Sequence, residues 1–188
     1  MEAIECIMTR RSAARLVEPA PAAEDLEILL RAAMAAPDHG RLRPWRFVVI
    51  RGSGLERLGD VFAKAHAARE PEADGDALER TRGKPLRAPL IVAVVSSLKP
   101  SPKIPGWEQV ASAAAAAENL SLAAHALGYG CMWRTGWYAE APEVREHLGL
   151  HGGESVMAWV YLGTTPDGTR PPPRPHDDPS ALTVLIDD

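Results

Sequence analysis

Arg10, Arg11 and Ser12 stand in a row and offer the first recognisable chemistry of this sequence. Guanidinium groups bind phosphate through paired hydrogen bonds, and an adjacent hydroxyl adds another donor. The chain carries a net charge of −4, yet arginines crowd its first quarter at positions 10, 11, 15, 41, 43 and 46. A local basic cluster on an acidic chain suits one small anionic ligand rather than a long polyanion. A solvated helix end, where the helix dipole favours cations, would have the same composition.

Ala36-Pro37-Asp38-His39-Gly40-Arg41-Leu42-Arg43-Pro44-Trp45 forms a second constellation. Two prolines stiffen a loop whose polar groups could meet the edge of a heterocycle; an ordinary connection with Trp45 in the core is the plainer reading. A third runs from Gly128 to Gly136 and contains Cys131-Met132-Trp133-Arg134. Glycines on both sides of a short apolar run let backbone approach a ligand closely. They follow a helix rather than a strand, so they are not a dinucleotide-binding turn. Cys131 has no assignable activating partner and reads as buried filler. Lys103 to Gln109 opens a long helix, where Glu108 suits either a dipole-favoured first turn or a substrate contact. Tyr161-Leu162-Gly163-Thr164, followed by Arg170 and Arg174, could return a cation to a phosphate or solubilise a tail.

The elements that must position these groups follow from periodicity. Ala3, Ile4, Ile7 and Met8 predict a short helix over 2–9, and Leu26, Leu29, Leu30, Ala33 and Met34 a second, ending before Pro37. Trp45 to Ile50 reads as a strand. Residues 55–68 and 75–84 read as helices separated by a polar stretch, a region suited to a lid. Leu90 to Val95 is continuously apolar and β-branched, the pattern of a strand buried on both faces. A helix from about Trp107 to Leu127 is alanine-rich on every side, so a partner subunit is a natural source of cover. A strand at 131–134, a helix at 140–149 and a core strand at 156–162 follow. The tail from Thr164 is Pro-rich, and Leu182 to Ile186 is strand-like, suited to pairing with another subunit's sheet edge.

The chain's 188 residues make one domain, 1–188, with 164–188 as an arm. At 46% hydrophobic and 24% charged residues it is globular in composition. Two cysteines are too few for a disulfide framework, and no His/Cys spacing suggests a metal. The acidic start and the lack of a long apolar run point to a cytoplasmic protein without membrane or nucleic-acid partners.

Taken in order, these motifs resemble the nitroreductase family, in particular its small YdjA-like branch. The matches are Arg10-Arg11-Ser12, the loop from Ala36-Pro37 to Pro44-Trp45, the strand at Leu90, Gly128-Tyr129-Gly130, Trp133-Arg134 and Tyr161 to Thr164. Trp107-Glu108-Gln109 also resembles the smaller branch. Departures are Ala14, where many relatives carry a basic residue, and Asp38, Arg41 and Arg43 in a loop that often holds Ser, Asn and Gln. The resemblance implies an α+β fold with a mixed central sheet flanked by helices, and a homodimer exchanging C-terminal strands. It implies FMN at the dimer interface. Arg10, Arg11 and Ser12 would hold its phosphate and ribityl chain, and Pro37, Asp38 and His39 would lie along the isoalloxazine. Cys131, Met132, Trp133 and Arg134 would line the flavin, with some contacts from the opposite subunit, and Ser121 to Ala126 would border the nicotinamide approach. The implied activity is ping-pong hydride transfer from NADH or NADPH through flavin N5 to a nitroaromatic, quinone or related acceptor, with no catalytic side chain assigned. A flavin carrier that nicotinamide does not turn over is the alternative.

Overall fold

The computed structural model describes residues 1–167, 169 and 177–186. The elements are α1 (Ala3–Thr9), α2 (Ala23–Met34), β1 (Trp45–Arg51), α3 (Ser53–Arg69), α4 (Gly75–Arg82), β2 (Leu90–Ser96), α5 (Gly106–Ala126), β3 (Gly130–Arg134), α6 (Pro142–His147) and β4 (Ser155–Gly163).

The strands join in the order β1-β2-β4-β3, and every neighbouring pair is antiparallel. The fold is α+β, but the mixed sheet expected from the resemblance is corrected to an antiparallel one. The connections explain this. Arg51 at the end of β1 faces Leu90 at the start of β2, so α3 and α4 return the chain to the end it left. The crossover through α5 makes β2 and β3 run the same way. β4 then enters between them in the opposite sense, so among the described residues parallel pairing is confined to a single bridge, Ser12 with Cys131.

All seven residues of β2 are buried, as a strand with cover on both faces requires. Ile91, Ala93 and Val95 pack with Trp159, Tyr161, Leu58 and Phe62 in one layer. Leu90, Val92 and Val94 pack with Val160, Leu29 and Leu120 in the other. A register shift between Val94 and Val95 places Val156 in the first layer and Ala158 in the second. Fully burying each large aliphatic side chain contributes about 1.5–3 kcal/mol. The small residues of α5 serve close packing: Ala113, Ala116, Ala117 and Ala124 are fully buried. The cover expected from a partner is therefore supplied on one side of α5 by α2 and the sheet, leaving Ala111 and Ala126 exposed.

Helix α4, in the region read as a lid, is pinned to α3. Thr81 hydrogen-bonds His66 at 3.0 Å, Arg82 pairs with Asp60 at 3.1 Å, and Gly59 faces the backbone of Arg82. The helix expected over 140–149 is a 3-10 turn at Trp137–Glu140 followed by α6, because Pro142 starts a new helix in its first turn. The terminal strand expected over 182–186 does not form within this chain. Pro179–Leu182 is a 3-10 turn, and Leu182, Val184, Leu185 and Ile186 are exposed. Arg170 and Arg174 lie outside the described residues.

Candidate functional site

The chain leaves α1 at Arg10 and runs along β3. The Ala13 amide donates to the Cys131 carbonyl at 2.9 Å, and Arg134 Nη2 donates to the Ala14 carbonyl at 3.2 Å. Segments more than a hundred residues apart, Arg10-Arg11-Ser12 and Cys131 to Arg134, thus form one unit. Farther along, the Leu16 amide donates to the Arg87 carbonyl at 2.8 Å, and Val17 bridges Thr164. Arg11 Nη1 donates to the carbonyls of Met8 and Arg10, both at 3.0 Å, which caps the end of α1. Arg10 Nε lies 3.3 Å from the Glu118 carboxylate on α5.

Beside this unit is a cavity of about 480 Å³, lined by Arg11, Ser12, His125, Gly128, Gly130 and Thr165, among others. Gly130 is required by crowding, since a Cβ there would collide with Leu16 and Thr165. His125 Nε2 lies 2.9 Å from Thr9 Oγ1. Burial, and the charges of Arg10 and Arg11, hold the His125 imidazole below its ordinary pKa, while Glu5 pulls the other way. Cys131 is 2% exposed, and burial pushes its thiol up, which agrees with filler rather than nucleophile. Met132 and Trp133 are half-buried and pack into opposite layers of the core. The Arg134 guanidinium lies 5.6 Å from the Tyr161 ring centre. Its Nε is buried without a hydrogen-bond partner among the described residues.

The Pro37 loop owes its shape to Asp38. Both carboxylate oxygens accept backbone hydrogen bonds, from Leu42 at 3.1 Å and Arg43 at 2.8 Å. These bonds hold Gly40, Arg41 and Arg43 at φ of 71°, 54° and 49°, a region that side chains other than glycine enter only under constraint. Asp38 is therefore occupied in positioning its neighbour, His39. The His39 imidazole is exposed, and its Nδ1 lies 2.8 Å from the Glu108 carboxylate on α5. Pro37, His39, Trp107, Glu108 and Ser112 line a second cavity of about 350 Å³. Trp107 is 71% exposed at its rim.

Within one chain these two groups stay apart. Glu108 marks one cavity and His125 the other, and 17 residues of helix rise about 26 Å. The structure brings Arg10, Arg11 and Ser12 together with Cys131 to Arg134, and places Pro37, Asp38 and His39 toward the other end of α5. Thr9 and Thr165 were not singled out from sequence. No local signal marks them, because their roles come from contacts with residues distant along the chain. The His39 and Glu108 pair, 69 residues apart, is invisible for the same reason. Among the described residues, no group of three or more His, Cys, Asp or Glu could hold a metal ion. No helix there is long and apolar enough to cross a membrane.

A sequence model described as the nitroreductase family matches residues 7–164. The Escherichia coli (strain K12) protein named "Putative NAD(P)H nitroreductase YdjA" is 43% identical over 164 residues, covering 87% of this chain and 88% of that one. A Haemophilus influenzae protein named "Putative NAD(P)H nitroreductase" is 38% identical over 165 residues, covering 87% and 89%. Among solved structures, a nitroreductase-like family protein from Bacillus cereus superposes with a TM-score of 0.83 at 23% identity, covering 100% of this chain and 97% of that one. A nitroreductase with bound FMN from Bacteroides fragilis superposes with a TM-score of 0.75 at 25% identity, covering 100% of both. With the order of elements and the joining of Arg10-Arg11-Ser12 to β3, these likenesses establish that the chain belongs to the nitroreductase family.

Proposed function

We propose that this chain is an FMN-dependent oxidoreductase, drawing on NADH or NADPH to reduce a nitroaromatic, quinone or related small acceptor. The observation that carries the reading is the stitching of Arg10-Arg11-Ser12 to β3 beside a cavity wide enough for part of a cofactor. The FMN bound by the Bacteroides fragilis relative, and the NAD(P)H in the name of the Escherichia coli one, support the same assignment. The residues present fit an anionic flavin nucleotide. Arg11 and the exposed Ser12 edge the cavity, and Arg134 keeps a buried N–H donor without a partner among the described residues.

FMN, when bound, supplies the exchange of paired electrons between nicotinamide and acceptor. The protein's own part is placement. Arg10, Arg11 and Ser12 hold the phosphate and ribityl end, while Cys131 to Arg134 present a wall of β3 to the ring. The Arg134 charge favours an anionic reduced ring system. Pro37, Asp38 and His39 complete the ring's surroundings from a second copy of the chain, since in one copy they sit toward the far end of α5. The dimer has apolar surface available: Ile4, Ile7, Met8, Ile28 and Met34 on α1 and α2, and Leu182 to Ile186 in the tail, are exposed. The proposal takes the cytoplasm as its compartment, where reduced nicotinamides are made and where Cys6 and Cys131 stay as thiols.

An anaerobic absorbance spectrum of the FMN-loaded protein tests this. The flavin band should bleach on addition of NADH or NADPH and return when a quinone or nitroaromatic is added. A band that persists with both nucleotides would turn the reading to a flavin carrier. Failure to retain FMN would overturn it altogether.

A further inference from the structure

The cavity beside Ser12 is lined by an imidazole that the proposed site does not use, with Met1 and Tyr129 also on its wall. His125 lies in the last turn of α5 and lines the cavity with Arg11, Ser12 and the Gly128 turn. Its tautomer follows from hydrogen-bond logic. Thr9 has one hydroxyl hydrogen, which it donates to the Glu5 carbonyl at 2.6 Å. At 2.9 Å from His125 Nε2 the same oxygen can then only accept, so Nε2 carries the hydrogen and Nδ1 is bare in the neutral ring. Any further proton must go to Nδ1.

The charges around this ring are finely opposed. Burial disfavours the imidazolium most, and Arg10 and Arg11, on the segment leaving α1, act in the same sense. Glu5 on α1 and the C-terminal dipole of α5 favour it. Glu118, also on α5, is engaged by Arg10. Tyr129, on the cavity wall, donates its hydroxyl to the Asp25 carboxylate on α2 at 2.6 Å, so the phenol stays neutral and the Asp25 charge is oriented toward it. Thr165 and Thr169 bring hydroxyls only. A dianion placed beside Arg11 and Ser12 offsets the repulsion that Arg10 and Arg11 exert on the imidazolium, leaving burial as the opposing cause.

We propose that His125 is a further cationic ligand of the cofactor's phosphate, taking a proton on Nδ1 when the phosphate arrives beside Arg10 and Arg11. Binding of FMN then carries a proton into the site. The inference rests on the FMN reading above, but it can fail separately. The direction of the pH effect follows from the linkage: the ring titrates at higher pH with phosphate bound than without. The His125 contribution to FMN affinity is therefore greatest at low pH and is lost as pH rises through the bound-state value, by at most about tenfold per pH unit for one proton. The phosphate itself, with a second pKa of about 6, works in the opposite sense only below about pH 7.

The test is calorimetric titration of the apoprotein with FMN at pH 7.5, in buffers of different ionisation heat, together with the affinity from pH 7 to 8.5. Net proton uptake and weakening affinity are expected for FMN, neither for riboflavin, and neither for His125→Gln, which keeps a neutral N–H for Thr9. Riboflavin binding by the variant at the native level shows that it is folded. FMN binding without proton uptake, or with equal uptake by His125→Gln or on riboflavin, would overturn this inference and leave the FMN assignment standing. No FMN binding at any pH would overturn both.

Discussion

Asp38 illustrates how a side chain near a site need not touch a ligand to matter. Its carboxylate holds two backbone donors and three residues at positive φ, so the Pro37 loop depends on it. Asp38→Ala should cost about 2 kcal/mol, the scale of hydrogen bonds to a charged group. It should also weaken FMN binding tenfold or more, because His39 is no longer presented. Urea unfolding and a fluorescence titration with FMN check both parts, and an unchanged pair of values would remove Asp38 from this role. Glu154 is a second case, away from the cavities. It accepts from Arg46 at 2.9 Å and 3.2 Å and from the His151 amide at 3.1 Å, and the Arg46 guanidinium holds its carboxyl down at about 2. A depressed carboxylate stabilises the fold above its unfolded value and ceases to do so as pH falls from about 4.5 toward 2. Glu154→Gln should thus cost about 1–3 kcal/mol at pH 7. In urea titrations the gap to the unaltered protein should narrow steadily at pH 4, 3 and 2.5, and a constant gap would show that charge is not its origin.

Elements were far more legible in the sequence than the contacts between them. The six apolar residues of β2, Leu90 to Val95, and the 3.6-residue spacing in α2 mark burial directly, so both elements appear where the pattern predicts. The antiparallel order was not legible, because β-branched runs look alike in either direction and only the arrangement of crossovers decides. Nor was the work of Gln109, which read as part of a family motif. It is 3% exposed, accepts from the Lys99 amide and donates to the Lys99 and Ile104 carbonyls, fixing the loop that leads into α5. Gln109→Leu leaves those backbone groups unpaired and should cost about 2–4 kcal/mol, visible as a fall in the urea midpoint. Gly59, on α3, is similarly silent in sequence. A methyl there meets the Arg82 carbonyl, so Gly59→Ala should push α4 away and cost about 1–3 kcal/mol. Faster amide exchange confined to α4 and its contacts on α3 would confirm the mechanism, and exchange spread evenly through the sheet would argue against it.

At the scale of the whole molecule, the proposed assembly in pairs would draw on the exposed apolar residues near both ends of the chain and join the two separated cavities. Removal of residues 180–188 should abolish the dimer in sedimentation equilibrium at micromolar concentration, and with it FMN retention. A truncated chain that stays dimeric would assign the interface to the helices alone. The order in which the molecule is put together follows from one bridge. Ser12 pairs with Cys131, and Val17 with Thr164. The segment bearing Arg10 to Ser12 is made more than a hundred residues before β3, and its place exists only once Gly130–Arg134 has followed. Contacts so distant in sequence close late in folding. The proposed flavin-binding surface is therefore absent from any nascent chain that stops short of β3, and such a chain has no means of capturing cofactor.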